Sequence, residues 1–457
     1  MHLIPGMRQG LLAIILAAPA VAQSSVPEEQ VARLDGPELT CMGAERAGGP
    51  DGVAAYTGKW AGTWPGQTRA QGYEPGPYAA EKPLFKITRD NMAQYDAMLS
   101  DGTKALLEAY PQTFWMNVYP SHRDFRPPQW ACDAARHNAA HAELKDDGLS
   151  VTGVGGGPAF PMPQSGAEAM RSVQTTFRSW TEKAELDIAV VYSGGEIAWG
   201  RNKLMTMSPM NAPGDKRPSL TEKISAYFLY STLLPERDRG LVSVGFQLSS
   251  FKDGSTQAWQ YQPGTRRVRQ APEVGFDYPV PPAGLHTSDE DSGFNGSPER
   301  YTWTLIGKKT LVVPYNNFGI NDPALRYKDL IKPDSINPEH VRYEAHRVWV
   351  VEGDLKPGMR HVYSKRRVYI DEDTWLIVSA DEYDNRGQLW RVPMILYFYS
   401  QASGAFHRGV QVFHDLTAHA YEANNLLNER DEDDWWRINT PMSPTMFTPD
   451  AAARAGR

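Results

Sequence analysis

The chain has 457 residues and a formal charge of −7, from 47 Lys and Arg against 54 Asp and Glu. With no excess of cations to neutralise phosphates, nonspecific nucleic-acid binding is excluded. The length supports a large core in two or three domains, or one large domain with extensions, and the 13 Trp and 21 Tyr make it rich in aromatics.

The first 22 residues have the pattern of an export signal. Residues 1–8 form a short n-region, residues 11–18 are apolar, and Ala20-Val21-Ala22 has the A-x-A form, so cleavage is expected after Ala22. No cysteine sits at that point, so no lipid anchor is expected there. The segment is too short to span a bilayer, and no later run reaches the apolar length required. A periplasmic protein that does not span the membrane is expected. Its two cysteines, Cys41 and Cys132, are then most simply one disulfide, a reactive thiol being the alternative.

Residues 23–34 form a polar lead-in, and residues 37–75, dense in Gly, Pro and Thr, predict extended coil wrapped over a body. A helix is predicted over 91–110, where Met92, Tyr95, Met98, Leu99 and Leu106 recur near helical spacing. A second helix, 131–144, places His137 and His141 at i, i+4. That spacing can hold a metal, but no H-E-x-x-H pattern and no third ligand accompany it, so a surface pair and no metal are expected. The Gly/Pro stretch 153–163 lacks the phosphate-loop pattern and predicts a hinge or wrapped loop. A helix from 165 or 166 to about 180 precedes strand-like runs at 186–191, 224–230, 242–248, 258–261 and 302–306. One helix followed by many antiparallel strands predicts an α+β or mainly β architecture.

Residues 342–392 predict a β-meander, with strands at 343–352, 361–370, 375–381 and from 388, separated by Leu-Lys-Pro-Gly, Asp-Glu-Asp and Tyr-Asp-Asn-Arg-Gly. Each strand face mixes large aromatics with long cations. Two accounts fit: a solvated sheet laced with cross-strand pairs, or a curved sheet lined for a ligand. The basic runs 266–269 and 365–367 predict solvated strand faces.

Long motifs carry a family resemblance: LTCMGAERAG (39–48), VYPSHR (118–123), GPAFPMPQSGAEA (157–169), WQYQPGTRRVRQAP (259–272), TSDEDSGFNGSPERYTWTLIGKKTLVVPYNN (287–317), the meander, and FTPDAAARAGR (447–457). Together they resemble the DUF1329 proteins of bacteria. Cys41 stands where Pro is expected in relatives. The resemblance implies an architecture similar to the LolA/LolB lipoprotein carriers: an incomplete, curved antiparallel half-barrel closed by helices around an apolar cavity. The expected division is a signal peptide (1–22), a wrapping N-terminal extension with two helices (23–164), the half-barrel (165–425) and a tail (426–457). The resemblance also implies a carrier of lipid or another hydrophobic ligand. Its implied partners are an inner-membrane RND-type transporter, an outer-membrane protein, or both. The strand aromatics Trp259, Tyr261, Trp303, Trp349, Tyr363 and Trp390 are the candidate cavity lining.

Enzymatic alternatives find little in the sequence. G-x-S-x-G is absent. Asp289-Glu290-Asp291 lacks calcium-loop spacing and predicts a solvated loop. His346 and His361, on adjacent predicted strands, form a candidate pair near Glu344. No enzyme activity and no cofactor are expected. The two rivals to a carrier are an adaptor or scaffold without ligand, and an envelope hydrolase. Asp431 to Trp436 predicts a surface segment.

Overall fold

The computed structural model describes residues 26–456 except 215–217, 219, 221, 255 and 272–275. The expected export signal lies outside the described residues. Among the described residues, sixteen strands form one sheet. From one end, the order is Phe85–Ile87, Met116–Val118, Tyr343–Leu355, Lys365–Asp371, Ile377–Tyr383, Leu389–Ser400, Ala405–Asp415, Ala420–Leu426, Thr181–Val191, Ile197–Met207, Ile224–Leu234, Val242–Leu248, Thr256–Gln262 and Arg267–Gln270. Tyr301–Pro314 pairs with Tyr343–Leu355, and Arg437–Ile438 with Thr181–Val191. The two end strands do not pair with each other, so the sheet is open. All its pairings are antiparallel except one, where Tyr343 meets Val118. Two meanders are thus joined side by side where Ala420–Leu426 meets Thr181–Val191.

Directly opposed residues share a face of a sheet, so the register sorts the side chains. Met394, Val412, Ala423 and Ala189 form one continuous row. That face packs on Leu106 and Leu107 of the helix Asp101–Ala109 and on Ile320, Leu330 and Ile336. The opposite face carries Trp349, Val351, Val368 and Ile370. It is covered by Ala131 and Ala135 of the helix Gln129–His141, by Ala169, Met170 and Val173 of the helix Gly166–Thr175, and by the Cys41–Cys132 disulfide, whose Cα atoms are 5.0 Å apart.

Several expectations are refined. The helix expected over 91–110 is two elements, a 3-10 segment Met92–Met98 and the helix Asp101–Ala109. Leu99 is extended between them because Ser100 caps a new helix, its hydroxyl accepting the Thr103 N–H. The helix beginning at Gly166 stops at Thr175, and Thr176 turns extended toward the first long strand. Of the expected surface segment 431–436, Asp431, Glu432 and Asp433 are exposed, but Trp435 and Trp436 are buried against Ala184, Leu186 and Leu204. Farther on, Phe447 and Ala452 pack on Val242, Val244 and Tyr261. The stretch 153–163 is packed inside, where Asn138 Nδ2 donates to the Pro158 carbonyl at 3.0 Å.

Candidate ligand cavities beneath an N-terminal strap

Residues 56–78 cross the sheet as a strap without regular secondary structure. Glycines permit its path. Gly62 has φ 109°, in the region side chains disfavour, and a Cβ at Gly76 would lie 2.4 Å from the Phe318 ring. Trp60, Trp64 and Tyr78 of the strap pack with Phe125, Phe318, Phe398, Tyr399 and Phe406. Phe125 stacks on Tyr399 with ring centroids 4.1 Å apart, and Trp64 meets Phe125 edge-on at 5.7 Å.

A cavity lies on each side of Tyr399, which lines both. The first, with about 510 Å³ of unfilled space partly open to solvent, has apolar walls from Met42, Phe125, Phe177, Leu376 and Phe406. Its polar end is formed by His122, Arg123, Asp124, Tyr315, Asp373 and Thr374. The second, about 570 Å³ and also partly open, is walled by Trp64, Phe318, Phe398, Trp435 and Trp436, with Gln67, Arg69, Glu74 and Gln401 at its polar edge. In this second cavity the strap and the tail supply walls that no strand provides.

The polar end of the first cavity is a network of opposed charges. Arg123 donates from Nε and Nη2 to the Asp373 carboxylate at 2.6 and 2.8 Å, and from Nη2 to Glu372 at 3.2 Å. Asp124 accepts from Thr57 at 2.6 Å and from Tyr78 at 2.9 Å, and pairs with Lys59 at 3.1 Å. Burial disfavours its charge, but bonds from His122, Thr57, Tyr78 and Lys59 hold it well below the usual carboxylate range. Burial likewise works against a charged His122. Asp124, Glu344 and Glu81 outweigh it and raise the imidazole above its ordinary value. Asp371, behind this wall, is pushed up to about 7 by burial, with the Asp373 charge adding to the effect.

The six aromatics expected to line one cavity occupy three places. Trp259 and Tyr261 pack under the C-terminal helix Pro449–Ala455. Trp303 and Trp349 lie in the core beneath the disulfide. Tyr363 and Trp390 meet edge-on at 5.6 Å beside a buried ionic cluster. None of the six lines either cavity described above. The histidine pair also separates. His346 does join Glu344, Nε2 lying 3.1 Å from Oε2, but His361 lies instead against Asp289 at 3.3 Å. His137 and His141 stack on the exposed side of their helix.

That ionic cluster overturns two expectations. Asp289 and Glu290 are buried rather than solvated, and Arg366, expected on a solvated strand face, is wholly buried. Arg366 Nη2 donates to Asp289 at 2.8 Å, and Nε lies 3.3 Å from Glu382. Tyr363 donates its hydroxyl to Glu290 at 2.9 Å and accepts from Arg391 at 3.0 Å. Asp289 is held down near 2: burial opposes its charge, but Arg366 and His361 prevail. Glu382 goes the other way, burial raising it well above the usual range against the pull of Arg366. Nothing in the local sequence announces this cluster, because its members are brought together from separate loops and strands.

Fold and cavities together define a mixed α+β protein built on one large, open, mostly antiparallel sheet. The chain belongs to the DUF1329 family, described as proteins of unknown function, whose pattern matches residues 86–453. An uncharacterized protein of Pseudomonas aeruginosa is 35% identical, over 98% of each chain. Among solved structures, a domain from Vibrio parahaemolyticus named for outer membrane lipoprotein sorting aligns with TM-score 0.43 and 13% identity. That alignment covers 63% of this chain and 97% of the other. A DUF1329 protein from Desulfovibrio piger aligns with TM-score 0.42 and 15% identity, over 62% of this chain and 95% of that one. A LolA superfamily protein from Nitrosomonas europaea gives TM-score 0.38 and 9% identity, over 63% and 100%.

Proposed function

We propose that this protein is a periplasmic carrier that takes up a lipid or other hydrophobic ligand and passes it between the envelope membranes. It would act by binding rather than catalysis, with an RND-type transporter or an outer-membrane protein as its donor or acceptor. The observation that carries this proposal is the pair of aromatic-walled cavities that share Tyr399 beneath the strap. Each joins an apolar wall to a polar edge, the arrangement an amphiphile requires. Burying an alkyl chain contributes roughly 0.8 kcal/mol per methylene, so apolar walls alone supply useful affinity. Support for the compartment comes from the disulfide, which persists in oxidising surroundings.

The test is native mass spectrometry, with lipid extraction, of protein purified gently from its own periplasm. A co-purifying amphiphile that is lost in Phe406→Asp, while circular dichroism stays unchanged, is the expected result. A mass equal to the bare chain that does not change on addition of phospholipid or fatty acid overturns the carrier and favours the adaptor.

A further inference from the structure

Behind the polar end of the first cavity, two buried side chains turn bare acceptor atoms toward each other. His346 lies on Tyr343–Leu355, and Asp371 closes the neighbouring strand Lys365–Asp371. Both are essentially inaccessible, with side-chain exposures of 1% and 0%. Glu344 fixes the histidine. Its carboxylate accepts from Arg342 Nε at 2.5 Å, from Asn316 Nδ2 at 3.0 Å and from the His122 N–H at 2.8 Å. A carboxylate so placed accepts from His346 as well, which assigns the ring proton to Nε2, 3.1 Å away. In the neutral ring Nδ1 is left with a lone pair. Tyr315 stacks on the ring at 3.7 Å and fixes its plane.

Asp371 is held as firmly. Its Oδ2 accepts from Tyr315 Oη at 3.1 Å and from Thr374 Oγ1 at 2.6 Å. Its Oδ1 makes no hydrogen bond among the described residues, nor does His346 Nδ1. These two atoms lie 3.9 Å apart, too far for a direct hydrogen bond. Two lone-pair donors aimed at one point inside a protein repel unless an electrophile lies between them. A carboxylate oxygen of Asp373 completes the group, with all three atoms within 4.8 Å of one another.

We propose that His346 Nδ1, Asp371 Oδ1 and the Asp373 carboxylate bind a divalent transition-metal cation of the Zn²⁺ or Mn²⁺ type. One imidazole nitrogen with two carboxylate oxygens selects such ions over Ca²⁺ and Mg²⁺, which prefer all-oxygen sites. The carboxylate on the far nitrogen of the ring is the outer-shell partner that metal-bound histidines regularly have. Asp373 already accepts from Arg123, but a carboxylate offers about four lone-pair positions, so one remains for a cation. Asp373 and Tyr315 also line the cavity, which gives the ion an entry path. The proposal is independent of whether a hydrophobe fills that cavity.

The competing binder is the exposed His137/His141 pair, so the test uses the full chain in a His137→Ala, His141→Ala background. After stripping with chelator, the protein is titrated calorimetrically with ZnCl₂ and with MnCl₂. One equivalent is expected to bind, with affinity falling at least about ten-fold in His346→Gln and in Asp371→Asn. Should either substitution impair folding, anomalous diffraction from zinc-soaked crystals of the background protein decides, with a peak expected between His346 and Asp371. Absence of binding, a peak only elsewhere, or unchanged affinity in both folded variants overturns the site and leaves a proton or a water between the two atoms.

Discussion

The backbone N–H of Gly62 donates to the hydroxyl of Tyr399 at 2.9 Å, tying the middle of the strap to the side chain that divides the two cavities. One hydrogen bond thus links the cover to the partition. Tyr399→Phe removes that bond and keeps the ring. The expected loss of global stability is about 1 kcal/mol. Amide exchange across residues 58–68 is expected to quicken far more than in the strands, and an environment-sensitive apolar dye should enter faster. Exchange mass spectrometry and stopped-flow fluorescence check both. Unchanged strap exchange would show that the aromatic packing alone holds the cover.

A second expectation concerns acid. His414 is buried, with Nε2 3.0 Å from the Ser335 hydroxyl and Nδ1 3.3 Å from the Val392 carbonyl. Burial lowers its pKa to about 4, against a smaller raising effect of the Val392 carbonyl. In the unfolded chain it titrates at about 6.5. The native state therefore binds fewer protons than the unfolded state between these values. Its contribution is fully present above about 6.5 and is lost as pH falls toward 4, by roughly 3 kcal/mol. His414→Gln should flatten stability in that window, as measured by urea denaturation at pH 4.5 and 7.5.

The buried ionic cluster predicts opposite outcomes for its two signs. Glu382 is raised by burial, so its folded state favours the proton. That contribution is complete below the ordinary glutamate value and is lost as pH rises. Glu382→Gln should consequently match wild type near pH 4 and exceed it near pH 8. Arg366→Met leaves Asp289 buried without its strongest partner and should cost about 3–5 kcal/mol. Denaturation midpoints at the two pH values separate these cases. Equal losses for both variants would contradict the account.

Cys41→Ser with Cys132→Ser opens a loop of 91 positions and loosens the cover over Trp375 and Val368. A loss of about 2–4 kcal/mol is expected, read as a lower thermal midpoint. The strands should remain intact by far-ultraviolet circular dichroism.

The sheet was more legible in the sequence than the site. Val242–Leu248 falls on its predicted bounds, and the meander from Tyr343 onward shows itself in alternating β-branched and aromatic residues between turn residues. Such signals are local, and so are the turns. The cavity walls are not local, because Phe125, Tyr399 and Trp64 come from segments with no shared pattern. Their burial depends on how the strap crosses the sheet. The acidic run at Asp289 misled for the same reason, its neutralising Arg366 being 77 positions away. Trp435 and Trp436 were hidden among acidic neighbours that themselves remain at the surface. His346 with Glu344 was legible because strand spacing alone places the two on one face.

The pairing of Tyr343 with Val118 has a consequence for how the chain acquires its shape. His122 and Glu344, which meet beside that pairing, are 222 positions apart. A chain under synthesis exposes the N-terminal strands long before their partner arrives. Closing so large a loop delays the final assembly, and contacts of this range slow folding. The strap can settle over its cavities only once the distant half of the sheet has been delivered.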